Sequence, residues 1–389
     1  MEQARVAVYA VFTLAGVLFA SFASRIPQVK STLDLTPGEL GLTLLGGTVG
    51  SVVGLPLAGW IAHRIGAGRA VLAGATATTL GLTAAAAGVD LVHSRWVVMA
   101  ALFVAMVGVG VWDVSMNLEG ADVERLLGRT IMPRFHAAFS AGTVGAALVG
   151  TAVTARGIPV LVHIAVVSAA SLVVTAWMTG RFLPRVPQDS TQDDAGEGPA
   201  GAGMAQAWRE RRTLLVGVVV LVAAFTEGSA NDWLAVALVD GYRLPEWVGV
   251  LGFAIFLSAM TAGRLAGTHW LDRYGRVPVL RVLFVLAVVG SLLVVWGGPW
   301  LAFVGIVIWG VGASLGFPVG MSAAADDPAR APARVSVVST IGYGAFLIGP
   351  PLLGFLGDHV GVLRALMLVG LLALLALAVV PATRPVDAG

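Results

Sequence analysis

Twelve stretches of roughly 20 apolar residues, each closed by charged residues or a Gly/Pro-rich turn, run the length of the chain. A stretch of that length is what an α-helix needs to cross a hydrocarbon layer about 30 Å thick. They lie at approximately 6–24, 40–62, 70–90, 96–118, 135–155, 159–180, 213–238, 246–268, 278–296, 300–324, 335–356 and 362–381. Only 12% of the 389 residues are charged, against roughly 25% in a soluble domain, so no water-facing surface can be covered. Inside lipid every backbone group must pair within the protein, which leaves helices as the form for runs of this length. The expected fold class is therefore all-α, an integral membrane protein with twelve transmembrane helices. The first run lacks a small-residue cleavage site and a second follows it directly, so it reads as a retained helix and not as a signal peptide.

Other classes are excluded by what the chain lacks. There is no cysteine, which removes disulfides, thiolate zinc, iron–sulfur clusters and thiol nucleophiles. None of the six histidines stands in a His-x-x-x-His pair, so neither a metal nor any other cofactor is expected. The basic residues are scattered over short loops and form no stripe, which argues against a nucleic-acid partner. No Ser/His/Asp cluster and no soluble output domain is present, so an enzyme or a sensor is disfavoured.

Of the 24 basic residues, 18 fall on one side of the membrane and six (Arg25, Lys30, Arg95, Arg156, Arg243 and Arg364) on the other. The positive-inside rule then places both termini in the cytoplasm, in a bacterial inner membrane. The longest polar stretch, 181–212, is rich in Asp, Gly, Ser and Thr in its middle and has no apolar periodicity, as expected of a linker. The domain reading is thus six helices in 1–180, a cytoplasmic linker at 181–212, and six helices in 213–389.

The two halves repeat. Gly59, His63, Arg64 and Gly66 follow the second span, and Gly267, Asp272, Arg273, Gly275 and Arg276 follow the eighth; aligning Gly66 with Gly275 gives an offset of 209. Gly145, Gly150 and Gly157 match Gly349, Gly354 and Gly361 at an offset of 204. Parallel six-helix repeats are a transporter architecture, with substrate near the midplane between the halves.

Twelve spans, the 6+6 division and the Gly-x-x-x-Asp-Arg-x-Gly-Arg type of loop resemble the major facilitator superfamily over nearly the whole chain. Within it, Gly108, Gly110, Trp112, Asp113 and Asn117 on the fourth span are similar to the Gly-rich, acid-x-x-x-Asn helix of fucose-permease-like sugar:proton symporters. The same block followed by Phe135, His136, Phe139 and Ser140 resembles the branch containing the rhizopine-catabolism membrane protein. Fucose permeases carry an acid near the place of Arg25, a departure that bears on sugar recognition. The resemblance implies a cytoplasmic gate at Gly59, Arg64, Gly66, Asp272, Arg273, Gly275 and Arg276, in which an acid and arginines cross-link the halves; His63 stands where the N-terminal copy would carry its acid.

Ionisable residues inside spans are functional hypotheses by default. Asp113 and Asn117 are four apart and share a helix face, as do Glu227 and Asn231 on the seventh span. Asp113, Glu227 and His136, a residue able to change charge near neutral pH, are the proton-coupling candidates. The alternatives are an Asp113 paired with a loop arginine and a His136 that serves as a cap. Asn117, Asn231, Arg25, Trp309, Phe317, Tyr343 and Phe346 are the substrate-cavity candidates; Arg25 reads as an external gate or anion-binding group or equally as an interface residue, and each aromatic taken singly reads first as a helix or lipid contact. Gly228 and Ser229 thin the seventh helix beside Glu227, while Pro318, Pro350 and Pro351 should bend the tenth and eleventh.

The expectation is a monomeric secondary transporter working by alternating access, for a small polar solute such as a sugar or cyclitol derivative, with protons as coupling ion and the lipid bilayer as surroundings. Efflux of a lipophilic compound is the rival, favoured by the apolar composition and disfavoured by the acids in spans four and seven.

Overall fold

The computed structural model describes residues 1–128, 131–183, 200–327 and 330–385, without the side chains of 200–203. Every regular element among them is helical. Eleven helices are long and apolar enough to span a bilayer: α1 Glu2–Thr32, α2 Pro37–Ile65, α3 Ala67–Asp90, α4 Arg95–Leu127, α5 Met132–Ala155, α6 Val160–Thr179, α7 Arg211–Tyr242, α8 Glu246–Tyr274, α9 Arg276–Trp296, α10 Gly298–Ala324 and α11 Ala331–Val360. The twelfth, α12 Val362–Ala376, is shorter and is interrupted at Leu366. The expected segments are all helical, but four ends need correction: α1 continues past a bend at Ser24 and Arg25 to Thr32, beyond its expected end at 24. Helix α4 runs on to Leu127 and α8 to Tyr274, because their polar last turns carry helix formers that hydropathy alone discards; α12 stops at Ala376. Of the expected linker at 181–212, residues 184–199 lie outside the described residues, as do Arg129 and Arg185 of the charge count, while Ala200–Ala207 forms a short helix.

Local chemistry sets the ends. Thr36 and Glu39 form a reciprocal capping box at the start of α2, with Pro37 in its first turn. At the repeated loop, Gly66 has φ 85° and ψ 155°, and Gly275 has φ 76° and ψ 170°. This left-handed turn penalises any residue with a Cβ. The sequence repeat is thus a repeat of backbone conformation, and Gly157 (φ 64°) and Gly361 (φ 85°) form a second such pair.

The chain divides into two compact units. The first gathers Met1–Arg185, Asp232–Leu257 and Pro350–Val362; the second gathers Val186–Asn231, Ser258–Gly349 and Leu363–Gly389. Helix α7 passes from one to the other between Asn231 and Asp232, inside a five-residue π-helical stretch, Ala230–Leu234; such insertions are frequent at functional positions.

Small residues bring helix backbones together within each unit, as packing in lipid requires. In the first, a Cβ on Gly74 would stand 2.6 Å from the Trp112 amide nitrogen, so α3 and α4 cross in contact. In the second, a Cβ on Gly290 would stand 2.4 Å from the Trp309 amide nitrogen, and α9 and α10 cross in the same way. Both tryptophans are buried by these crossings.

Candidate functional site

In the second unit the polar centre is an ion pair inside the membrane helices. A guanidinium nitrogen of Arg264 on α8 lies 2.9 Å from a carboxylate oxygen of Glu227 on α7. The Nε of the same arginine donates to the Ser314 carbonyl at 3.2 Å. That carbonyl is available because residue 318, whose amide would normally bond it, is proline and has no N–H; α10 is broken at Ser314 and Leu315 and resumes at Gly316. A proline on α10 therefore orients an arginine on α8, which neutralises an acid on α7.

Aromatic rings continue this surface. A Cβ on Gly228 would meet the Phe346 ring at 3.1 Å, so the glycine after Glu227 lets Phe346 lie against the α7 backbone. Phe346 and Tyr343 have ring centroids 6.4 Å apart, and Tyr343 and Phe317 6.2 Å. Asn231 lies one turn beyond Glu227, and its side-chain oxygen is buried with no hydrogen-bond partner among the described residues, as is the Ser229 hydroxyl. Trp309 is fully buried in the crossing of α9 and α10 and is not part of this surface.

In the first unit, Asn117 donates to the Asp113 carbonyl at 2.8 Å and lies 3.4 Å from a carboxylate oxygen of Asp113. The Asp113 side chain is exposed and has no cationic partner among the described residues. His136, near the start of α5, packs edge-on against Phe12 with ring centroids 5.3 Å apart.

Arg25 lies at the bend in α1 and is completely buried. It donates to the Thr154 hydroxyl at 2.8 Å and to the Ile158 carbonyl, tying α1 to the turn between α5 and α6; its Nε has no partner among the described residues. Beyond it, Lys30 pairs with Asp240 at 3.0 Å, Ser31 donates to Glu246 at 2.7 Å and the Gly38 amide donates to Asp358 at 3.0 Å. Within the first unit, the turn between α1 and α2 is thus latched to the ends of α7, α8 and α11.

The repeated loops are exposed. Gly59 has open space around it, and Arg64 stacks on Trp60 at 4.5 Å. Arg273 stacks on Tyr274 at 5.3 Å, while Asp272 makes no ion pair among the described residues. Arg276 instead pairs with Asp326 at 2.7 Å, and Arg212 reaches the same carboxylate at 2.8 Å.

Four polar residues of the second unit escape a reading of the sequence. The charge count puts Arg264 among the 18 cytoplasmic basic residues, although it stands four residues inside the expected limit of its span, and that depth is the available signal. Asp326, Glu210 and Arg334 sit in polar turns that look solvated. Glu210 accepts from Arg334 at 2.6 Å and lies 3.2 Å from Arg330; the Arg334 hydrogen bond, with help from Thr213, holds its carboxyl below the usual carboxylate range. In the first unit, buried Glu119 accepts from the Leu183 amide at 2.6 Å, and Glu124 accepts from Ile131 and Met132 at 2.6 and 2.7 Å. These acids hold the turns at the ends of α4 and α6.

The sequence profile of the Major Facilitator Superfamily matches residues 247–389. Transporter y4wD of Sinorhizobium fredii is 31% identical over 95% of this chain and 95% of its own. Membrane protein MosC of Rhizobium meliloti is 25% identical over 92% of this chain and 84% of its own. Among solved structures, the nucleoside transporter NupG superposes with a TM-score of 0.76 at 15% identity, covering 98% of both chains. FucP in its outward conformation gives 0.67 at 13% identity, again over 98% of both.

Proposed function

The chain belongs to the major facilitator superfamily and is a multi-pass secondary transporter, and we propose that it moves a small polar organic solute, such as a sugar or cyclitol derivative, together with protons. The observation that carries this reading is a pair of unequal acid–amide couples within membrane helices. Glu227, with Asn231 one turn away, is already neutralised by Arg264; Asp113, with Asn117 one turn away, has no cation beside it. An ion pair flanked by aromatic faces suits a ring-shaped solute with hydroxyl or amino substituents, since it offers donors, acceptors and stacking surfaces at once. An unpaired, accessible carboxylate on a membrane helix suits a proton carrier, because it can take up a proton from solvent and so lose its charge before it is carried through the low-dielectric interior.

The fold neighbours include proteins named as a nucleoside transporter and as a fucose:proton symporter, which agrees with a polar ring-shaped cargo. The relatives are bacterial, and the Arg/Lys asymmetry supports an inner-membrane protein with both termini in the cytoplasm. The repeat supports six-helix halves at 1–180 and 213–389 joined through 181–212, rocking as a monomer by alternating access.

Counterflow in proteoliposomes loaded with a panel of unlabelled sugars, cyclitols and nucleosides tests the proposal. Saturable uptake of one labelled polar solute is expected, increased by an inwardly directed proton gradient. Movement of lipophilic cations alone, with no polar solute exchanged, would contradict it.

A further inference from the structure

Where α7 begins and the chain's last described residues return, the second unit holds an open cavity of about 460 Å³. Three arginines, Arg211, Arg212 and Arg384, line it above an apolar wall of Leu215, Pro381 and Ala382. Their roles differ. Arg212 is structural: it donates to Asp326 at 2.8 Å, to the Ala323 carbonyl at 3.3 Å and to the Arg384 carbonyl at 2.9 Å, which fixes the returning segment against the start of α7. Arg211 and Arg384 are exposed, and neither has an ion pair or side-chain hydrogen bond among the described residues.

The local acids are already engaged. Asp326 serves two guanidinium groups, those of Arg212 and Arg276, and Glu210, next to Arg211 in sequence, is bound to Arg334 and Arg330. The cavity lining contains no acid. It is thus positively charged among the described residues, with two forked donors at one opening and no carboxylate among those residues paired with either.

The geometry points to a phosphate-group site, in which Arg211 and Arg384 hold the phosphodiester of an anionic membrane lipid while its hydrocarbon lies along Leu215. Arginine's planar fork matches phosphate oxygens in a bidentate way that a point charge does not. The depth fits a lipid: Arg211 is the first residue of a 32-residue apolar span, at the level of headgroups, and Leu215 lies one turn further toward the hydrocarbon. Charge attraction to a membrane surface needs only basic residues; a cavity with an apolar wall and a structural arginine adds shape.

Native mass spectrometry of the full-length protein in neutral detergent tests the site, with phosphatidylglycerol, phosphatidylcholine or inorganic phosphate added. The wild type is expected to retain phosphatidylglycerol adducts several-fold above phosphatidylcholine. The R211Q/R384Q double variant should lose that preference, R211K/R384K should keep part of it, and Arg209→Gln, outside the cavity, should keep all of it. Equal phosphatidylglycerol binding by wild type and R211Q/R384Q would overturn the site. Arginine-dependent binding of inorganic phosphate by the wild type, with phosphatidylglycerol retained no better than phosphatidylcholine, would overturn the lipid as occupant and assign the site to a free anion. Thermal unfolding of each variant without lipid separates lost binding from lost folding.

Discussion

Arg264 and Glu227 meet at 2.9 Å inside the membrane helices of the second unit, and the arginine is held for this contact by the Ser314 carbonyl that Pro318 leaves without a donor. The pair is partly exposed, its side chains 32% and 20% accessible, so its strength lies between that of a surface and a buried ion pair. Removing Arg264 alone should cost about 1–3 kcal/mol, more than a surface pair and less than the loss of a fully buried partner. Thermal unfolding in detergent should show R264Q below wild type and the E227Q/R264Q double variant above R264Q, because the double leaves no unpaired charge. Equal melting of R264Q and wild type would remove the pair from the account of stability.

Pro318→Ala restores an amide N–H that can bond the Ser314 carbonyl and continue α10 through its break. The variant should melt higher and exchange substrate more slowly, since Arg264 loses one of its two anchors. Faster or unchanged counterflow alongside a raised melting temperature would mean that the break in α10 is not needed for transport.

The helices, their order and the internal repeat are legible in the sequence, because span length and left-handed glycines leave local marks: Gly66 and Gly275 can be aligned by eye and share one backbone conformation. Asp113 and Asn117 are legible as a pair for the same reason, being one turn apart on one helix. Contacts between helices leave no such mark. Glu227 with Arg264 spans 37 residues and Arg25 with Thr154 spans 129, and neither partner carries a local cue to the other. Arg25 shows the limit most clearly: the sequence leaves it open between gate and interface, and the structure has it fully buried, tying α1 to the turn after α5.

Glu210 makes the polar end of the second unit sensitive to acid. Its carboxyl is held below the usual range by the Arg334 hydrogen bond, so the folded state favours the ionised form. The stabilisation is fully present above the ordinary carboxylate pKa of about 4.3 and is lost as pH falls through the lower folded value. Glu210→Gln should therefore melt below wild type at pH 7, with the difference shrinking as pH is lowered below about 4. A difference independent of pH would show that the contact does not depend on the charge.

Asp272 has no ion pair among the described residues, whereas Arg276 is occupied by Asp326. Asp272→Asn should leave the melting temperature unchanged and loosen closure of the cytoplasmic face, which cysteine pairs placed across that face would report as reduced cross-linking. Asp326→Asn should act in the opposite way, lowering stability because two arginines then face each other without an anion. Unchanged cross-linking in Asp272→Asn would take that acid out of the gate.

Proton carriage by Asp113 is tested most directly by Asp113→Asn, assayed for both pH-gradient-driven accumulation and exchange at equal pH. Asparagine keeps the size of the side chain and its place beside Asn117 but is permanently neutral, like the protonated acid. Net cotransport requires the proton to be bound and released, whereas exchange needs only solute to cross in both directions. Accumulation should therefore collapse to the equilibrium level while counterflow at equal pH persists at a comparable rate. Retention of gradient-driven accumulation by Asp113→Asn would contradict the assignment.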